Sequence, residues 1–261
     1  MRILFLGDIV GKPGRDAVLG LLPELRAELN PELVITNAEN AAAGFGVTEG
    51  IVRSLISAGV DVITTGNHVW SKTDELGILD SEPRLLRPAN YPPGAPGRGY
   101  GVFRTKKASL IGVANLMGRA FMDPVDDPFR AADEIISQVH QHTPLLFIDF
   151  HAEATSEKVA FGWHCDGRVS AVVGTHTHVQ TADEKILPGG TAYLTDVGMC
   201  GPDHSVIGMD VEASLARFRT QRPQRFRVAE GSATLHGVVI DLDATTGKAL
   251  RIERVARTHH G

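Results

Sequence analysis

Five short apolar runs along the chain each end in residues able to bind a metal. The first ends at Gly7-Asp8, the second at Ala38-Glu39-Asn40 and the third at Gly66-Asn67-His68. The fourth, Leu145 to Phe150, ends at His151, and the fifth, Val169 to Val173, runs into Gly174-Thr175-His176-Thr177-His178. Carboxylate, carboxamide and imidazole are oxygen and nitrogen donors suited to Mn, Fe or Zn. Each set has an ordinary structural use when taken singly. Asp8 fits a turn or cap, Glu39-Asn40 could bond the Ala-Gly loop that follows, and Asn67-His68 could be a turn pair. His176 and His178 are the stronger signal, since alternate residues of an extended segment point the same way. Separate explanations would need five coincidences, whereas one dinuclear site accounts for all of them. In open α/β sheets, ligands bind beyond the carboxyl ends of strands, so these groups should converge.

The elements that must carry them alternate along the chain. Arg2 to Leu6, Leu33 to Thr36, Val60 to Thr64, Ser109 to Val113, Leu145 to Asp149 and Val169 to Val173 are rich in Ile, Leu and Val and read as buried strands. Arg15 to Leu29 has Val18, Leu21, Leu22, Leu25 and Leu29 at helical spacing. Thr48 to Ala58 opens on a capping threonine and closes at Gly59, and Pro128 to His140 follows two aspartates that suit a helix N-terminus. Later, Ala192 to Thr195, Gly237 to Asp243 and Arg251 to Val255 read as strands with little helix between them, the last two joined by a hairpin over 243–247. The pattern predicts an α/β sandwich of mixed sheets flanked by helices, folded as one domain over 1–261.

With 43% hydrophobic residues in 261, the chain can bury a sizeable core, which excludes a disordered polymer. No apolar run approaches the roughly 18 residues that cross a bilayer. The first residues meet Asp8 too soon for a signal peptide. Cys165 and Cys200 lack zinc-ligand spacing and read as inert thiols, so a reducing cytoplasm is the expected location. A net charge of −5 means that any nucleic-acid contact must be local.

Gly7-Asp8, Gly66-Asn67-His68, His151 and Gly174-Thr175-His176-Thr177-His178 resemble the signature of calcineurin-like metallophosphoesterases. The resemblance is closer to the YmdB-like branch, which has Glu-Asn where most of that superfamily has Gly-Asp. Gly-Asp-Ile-Val-Gly at 7–11, Asn-Ala-Glu-Asn-Ala-Ala at 37–42, Thr-Gly-Asn-His-Val-Trp at 65–70, Arg-Pro-Ala-Asn-Tyr-Pro at 87–92 and Thr-Asp-Val-Gly-Met-Cys-Gly at 195–201 carry it across nearly the whole chain. Two departures from the wider superfamily stand out: Val10 replaces a histidine, and Glu39 replaces a bridging aspartate.

The resemblance implies two transition-metal ions, Fe or Mn first and Zn as an alternative. Asp8, Glu39 and His178, joined by Asn40, would hold one; Glu39, Asn67, His151 and His176 would hold the other, with Glu39 bridging. It further implies a phosphodiesterase acting on cyclic nucleotides, 2′,3′-cyclic ones and 3′,5′-cyclic AMP, by attack of a metal-bridging hydroxide. Two divalent ions, two carboxylates and one hydroxide leave about one positive charge, which suits a phosphodiester anion. His68 follows a ligand without being one and is the expected general acid. A broader phosphatase or nuclease, and a regulatory nucleotide- or RNA-binding protein with negligible turnover, are the alternatives. Chains of this kind often associate, so a homo-oligomer is compatible with the reading, and no membrane partner is expected.

Three further features bear on the substrate. The segment from Arg84 to Gly101 is too Pro- and Gly-dense for regular structure, and within it the loop from Arg87 to Gly101 is the expected substrate wall, with Tyr91 to stack on a base and Arg87 or Arg98 to meet phosphate. Arg217, Arg219, Arg222, Arg225 and Arg227, interleaved with Phe218 and Phe226, could follow a nucleic-acid backbone but read more simply as a solvated helix end and loop. Asp196 fits either a turn or a partner of a ligand. His140, His142, His164, His204, His236, His259 and His260 fall outside the strand-end pattern and are not assigned to the site.

Overall fold

The structure is a computed structural model that describes residues 1–260. In chain order its elements begin with β1 (Arg2–Leu6), β2 (Asp8–Ile9), α1 (Gly11–Leu29), β3 (Leu33–Asn37), α2 (Glu49–Ala58), β4 (Val62–Thr64) and α3 (Gly77–Ser81). Next come β5 (Tyr100–Arg104), β6 (Leu110–Met117), α4 (Pro128–Val139), β7 (Leu146–His151), α5 (Thr155–Cys165) and β8 (Ala171–Thr175). The last are β9 (Lys185–Ile186), β10 (Ala192–Leu194), β11 (Met199–Pro202), α6 (Val211–Thr220), β12 (Ala233–Leu242) and β13 (Ala249–His259).

The strands form two mixed sheets. In one, β1 lies between β3 and β12, parallel to the first and antiparallel to the second, and β3 continues parallel to β4. β12 is long enough to pair with β13 along one edge and with β11 and β1 along the other. In the other sheet, β6, β7, β8 and β10 run parallel, flanked by antiparallel β5 and β9.

The pleat explains how the sheets stack. Successive side chains of β1 point to opposite faces, so Ile3 and Phe5 enter the layer between the sheets while Leu4 and Leu6 meet the helices outside. In β7, Phe147 faces the inner layer and Leu146, Ile148 and Phe150 face α4 and α5. Phe5 and Phe147 touch edge to face across the sandwich, 4.9 Å between centroids. Three apolar cores result, which fix the two sheets against each other and bring the carboxyl ends of β1, β3, β4, β7 and β8 to one rim.

Local signals placed the helices as their residues suggest. The Thr48 hydroxyl accepts from Ile51 N–H, and Gly59 closes α2 in the left-handed region at φ 106°. Asp127 accepts from the N–H groups of Phe129 and Arg130 with Pro128 in the first turn of α4. Differences are confined to ends and to weakly patterned segments. α1 starts at Gly11 rather than Arg15, the segment 84–101 is irregular only to Gly99 because Tyr100 and Gly101 open β5, and the sequence pattern does not announce the short elements β2, α3, β5, β9 and β11 or the helices α5 and α6. Among the described residues, no helix is long and apolar enough to cross a membrane.

Candidate metal centre

Six of the residues singled out at strand ends meet at this rim. His151, fully buried at the end of β7, lies at the middle of the cluster. Its Nε2 is 3.1 Å from Glu39 Oε1, 3.0 Å from Asn67 Oδ1 and 3.0 Å from His176 Nδ1. Asp8 Oδ2 accepts the His176 N–H at 3.1 Å, and Asp8 Oδ1 stands 3.8 Å from the His151 ring. Glu39 Oε2 accepts the His68 N–H at 3.0 Å. Gly66 lets the chain pass this close: a Cβ there would sit 2.3 Å from His151 Nε2 and 2.4 Å from Glu39 Oε2.

The outward nitrogen of each imidazole is already engaged. His151 Nδ1 donates to the Thr175 hydroxyl at 2.9 Å, which itself donates to Asp149 Oδ1 at 2.7 Å. His176 Nε2 pairs with Glu153 Oε2 at 3.1 Å, and His178 Nδ1 donates to the Ile207 carbonyl at 2.9 Å. Such partners fix the tautomer, leaving one lone pair per ring free. For His151 and His176 these lone pairs face each other and the oxygens of Glu39 and Asn67. Four acceptor atoms gathered around one point repel unless a cation or protons lie among them.

The titration behaviour follows from that crowding. Burial opposes charge on His151, but Glu39, Asp8 and Asp149 overcome it and push its imidazole up to about 9. Burial likewise opposes a charged Glu39, yet His151 and His68 hold it down at about 2. Burial lifts Asp8 to about 7 against the pull of His178 and His151. For His176, burial and the neighbouring His151 act together and hold it at about 3. A positive charge is therefore favoured at the midpoint of the cluster, as a proton on His151 or as a cation among the same acceptors.

Two further atoms fit a metal. Asp8 Oδ1 and Asn40 Oδ1 are buried without a hydrogen-bond partner among the described residues, whereas Asn40 Nδ2 is spent on the Gly44 carbonyl at 2.9 Å. A buried unpaired oxygen is costly, so both need a partner that the protein does not provide. The donor set thus fits hard or borderline cations, with Glu39, His151 and His176 close enough to share one.

A second framework holds the His176-Thr177-His178 turn. His176 and His178 adopt φ values of 99° and 67°, a region that costs a non-glycine residue about 1–3 kcal/mol. Asp196 compensates by accepting from Thr177 N–H at 3.1 Å and the Thr177 hydroxyl at 2.8 Å. Lys158 Nζ, buried on α5, pairs with Asp196 Oδ2 at 2.6 Å and donates to the Thr175 carbonyl at 2.7 Å. Asp196 is therefore a partner of the histidine turn. Nothing local in the sequence marks Lys158, Glu153 or Asp149 as partners of the site.

The recess over the cluster, about 350 Å³, is lined by Glu39, Asn40, His68, His176 and His178 on one side. Its apolar wall comes from Phe45, Ile207, Met209, Phe218 and Phe226. This corrects the expected wall. Arg87 is buried and its guanidinium donates to the carbonyls of Pro88, Ala95 and Pro96, so it braces its own loop. Tyr91 packs edge to face on Trp70, 5.0 Å between centroids, and none of Arg87, Tyr91 and Arg98 lines the recess.

A profile of YmdB-like proteins matches residues 4–255. The chain belongs to the YmdB-like family. Among YmdB-like relatives, a 2′,3′-cyclic-nucleotide 2′-phosphodiesterase of Bacillus subtilis (strain 168) is 56% identical over 255 residues, covering 98% of this chain and 96% of the relative. A novel phosphatase from Mycoplasma pneumoniae superposes with a TM-score of 0.94 at 37% identity, covering 100% of this chain and 94% of the other. A hypothetical protein from Thermus thermophilus superposes with a TM-score of 0.93 at 45% identity, covering 99% of each. The mixed sandwich of this YmdB-like chain is accordingly the calcineurin-like metallophosphoesterase fold.

Proposed function

We propose that the chain is a metal-dependent phosphodiesterase that hydrolyses 2′,3′-cyclic nucleotides at the 2′ ester. The observation that carries the reading is the meeting of Glu39, Asn67 and His176 acceptor atoms around His151 Nε2. The 56% identical relative, a 2′,3′-cyclic-nucleotide 2′-phosphodiesterase, supplies the substrate class.

Asp8, Glu39, Asn40 and His178 would hold one ion and Glu39, Asn67, His151 and His176 the other. When bound, two such ions supply positive charge at the phosphate and lower the pKa of a nearby water. The chain's own contribution is positioning. Thr175 and Glu153 keep the His151 and His176 lone pairs turned inward, and Gly66 admits the close approach.

His68 is the proposed general acid for the departing 2′ oxygen. Its ring lies at the mouth, 4.9 Å from that of Phe45, and burial holds it below its usual range. Asn67 Nδ2, 3.3 Å from His68 Nε2, favours the tautomer with its proton on Nδ1. An anionic phosphodiester in the recess raises the imidazole's proton affinity when donation is required. The apolar wall offers Phe45, Phe218 and Phe226 as faces for a base.

The test is hydrolysis of 2′,3′-cyclic AMP by metal-stripped protein refilled with Mn²⁺, with 3′,5′-cyclic AMP and a phosphomonoester for comparison. Metal-dependent release of the 3′-phosphate supports the reading. Preference for the monoester would replace it with a phosphatase.

A further inference from the structure

Phe226 lines the recess over the metal centre and also a second cleft of about 990 Å³, whose other lining residues include Lys12, Arg225, Arg227 and His259. Ala43, two residues before Phe45 of the recess, belongs to the same cleft. Asp16 and Glu230 also line it, but Asp16 pairs with Lys12 at 2.8 Å. The side chains of Arg225 and Arg227 have no ion pair or hydrogen bond among the described residues. Arg217, one turn from the end of α6, lies over the Phe226 ring at 4.8 Å, and Phe218 is 74% exposed. Two unpaired arginines flanking the half-buried Phe226, with exposed Phe218 nearby, in a chain of net charge −5, are a local anionic-strand feature rather than a general one.

The chemistry of a 2′,3′-cyclic phosphate says what lies beyond it. Such a group forms only where a ribose carries a neighbouring 2′ hydroxyl, and its 5′ oxygen is where an RNA chain continues. We propose that the cleft of Lys12, Arg225 and Arg227 binds the nucleotides preceding the cyclic end, so that the substrate class is single-stranded RNA with a terminal 2′,3′-cyclic phosphate. Free cyclic mononucleotides are then the truncated form. The inference rests on the phosphodiesterase reading above. In the reaction water adds across the ring: a new P–O bond forms, the P–O2′ bond breaks, and the proton passes to O2′. The products are a 2′ hydroxyl and a 3′-phosphate end.

The test compares 2′,3′-cyclic AMP with a four-nucleotide RNA ending in a 2′,3′-cyclic phosphate, in the wild type and in an Arg225→Ala, Arg227→Ala variant. Neither arginine lines the recess at the metals. The wild type should take the oligonucleotide with a KM at least about tenfold lower, and the double variant should lose that advantage while keeping its cyclic AMP kinetics. Fluorescence anisotropy of the same RNA bearing a 3′-phosphate reads binding independently of turnover. Each lost phosphate contact should reduce the salt slope by about 0.7, so the variant's slope should fall by about 1.4. Equal KM for both substrates together with unchanged RNA binding in the variant would overturn the inference and leave the phosphodiesterase intact. Loss of cyclic AMP turnover in the wild type would instead refute the reading beneath it, while the anisotropy would still decide the cleft.

Discussion

Asp196→Ala should cost about 3–5 kcal/mol of stability, because it breaks a buried ion pair from one side. Lys158 and Asp196 are each 1% exposed and 2.6 Å apart, so the substitution leaves an ammonium in the interior with the Thr175 carbonyl as its remaining partner. It also strips the acceptor from Thr177 N–H, the Thr177 hydroxyl and Gly198 N–H. Lys158→Met should cost less, since the carboxylate keeps those three donors and the thioether fills the lysine's apolar path. Against a total of about 5–15 kcal/mol, the first loss is large enough to read directly from urea unfolding with unchanged slope. The same change should release the strained His176 and His178 backbone, weakening Mn²⁺ binding by about 10–100-fold, as loss of a ligand's supporting partner commonly does. Titration with Mn²⁺ at a temperature where both proteins stay folded separates the two effects. Asp196→Ala within about 1 kcal/mol of wild type, or Lys158→Met the more damaging of the two, would refute the reasoning.

Further outcomes follow from the same geometry. His68→Ala should keep its metal content and lose about 10²–10⁴ in kcat, as checked by metal analysis and turnover on one preparation; loss of metal would make His68 a ligand. Gly66→Ala should fold poorly or bind no metal, because its Cβ would lie 2.3 Å from His151 Nε2; Mn²⁺ titration reads this, and ordinary affinity would show that the close approach is not required. Asp241 is held below the usual carboxylate range, first by its hydrogen bond with Arg2. Its lowered folded pKa contributes stability above the unfolded value that disappears as pH falls through the folded one. Solvent screening limits this to below about 1 kcal/mol, so the Arg2→Ala loss should be larger at neutral pH than near pH 2, where only the Arg2 bond to the Leu29 carbonyl at 3.0 Å remains; a gap equal at both pH values would show that the Asp241 pair contributes nothing.

Much of the architecture was legible because its signals are local. The apolar runs ending in Asp8, Glu39, Asn67, His151 and His176 mark strands and their donor groups together, and topology alone brings them to one rim. Caps at Thr48 and Asp127 act within a turn, so they too can be read from neighbours. The supporting residues were not legible for the opposite reason. Lys158 reads as a surface lysine on a weakly amphipathic helix until α5 packs it against Asp196, 38 positions away. Glu153 resembles any exposed acid, and Asp149 any strand-end residue, until Thr175 and His176 meet them. The segment around Arg87 carried a misleading signal: rigidity suggested a wall, but its arginine satisfies the loop's own carbonyls. The aromatic wall comes from Phe45 and from Phe218 and Phe226, far apart in sequence and without periodicity to connect them.

The central claim is that Glu39 and its neighbours hold ions that carry out diester hydrolysis. The most direct test strips the protein of metal, refills it with Mn²⁺ and measures bound ions and 2′,3′-cyclic AMP turnover beside a Glu39→Gln variant. The account predicts about two ions per chain and turnover only in the refilled wild type, with the variant folded but short of metal and inactive. Turnover by the stripped protein, or equal metal content and rate in the variant, would contradict it.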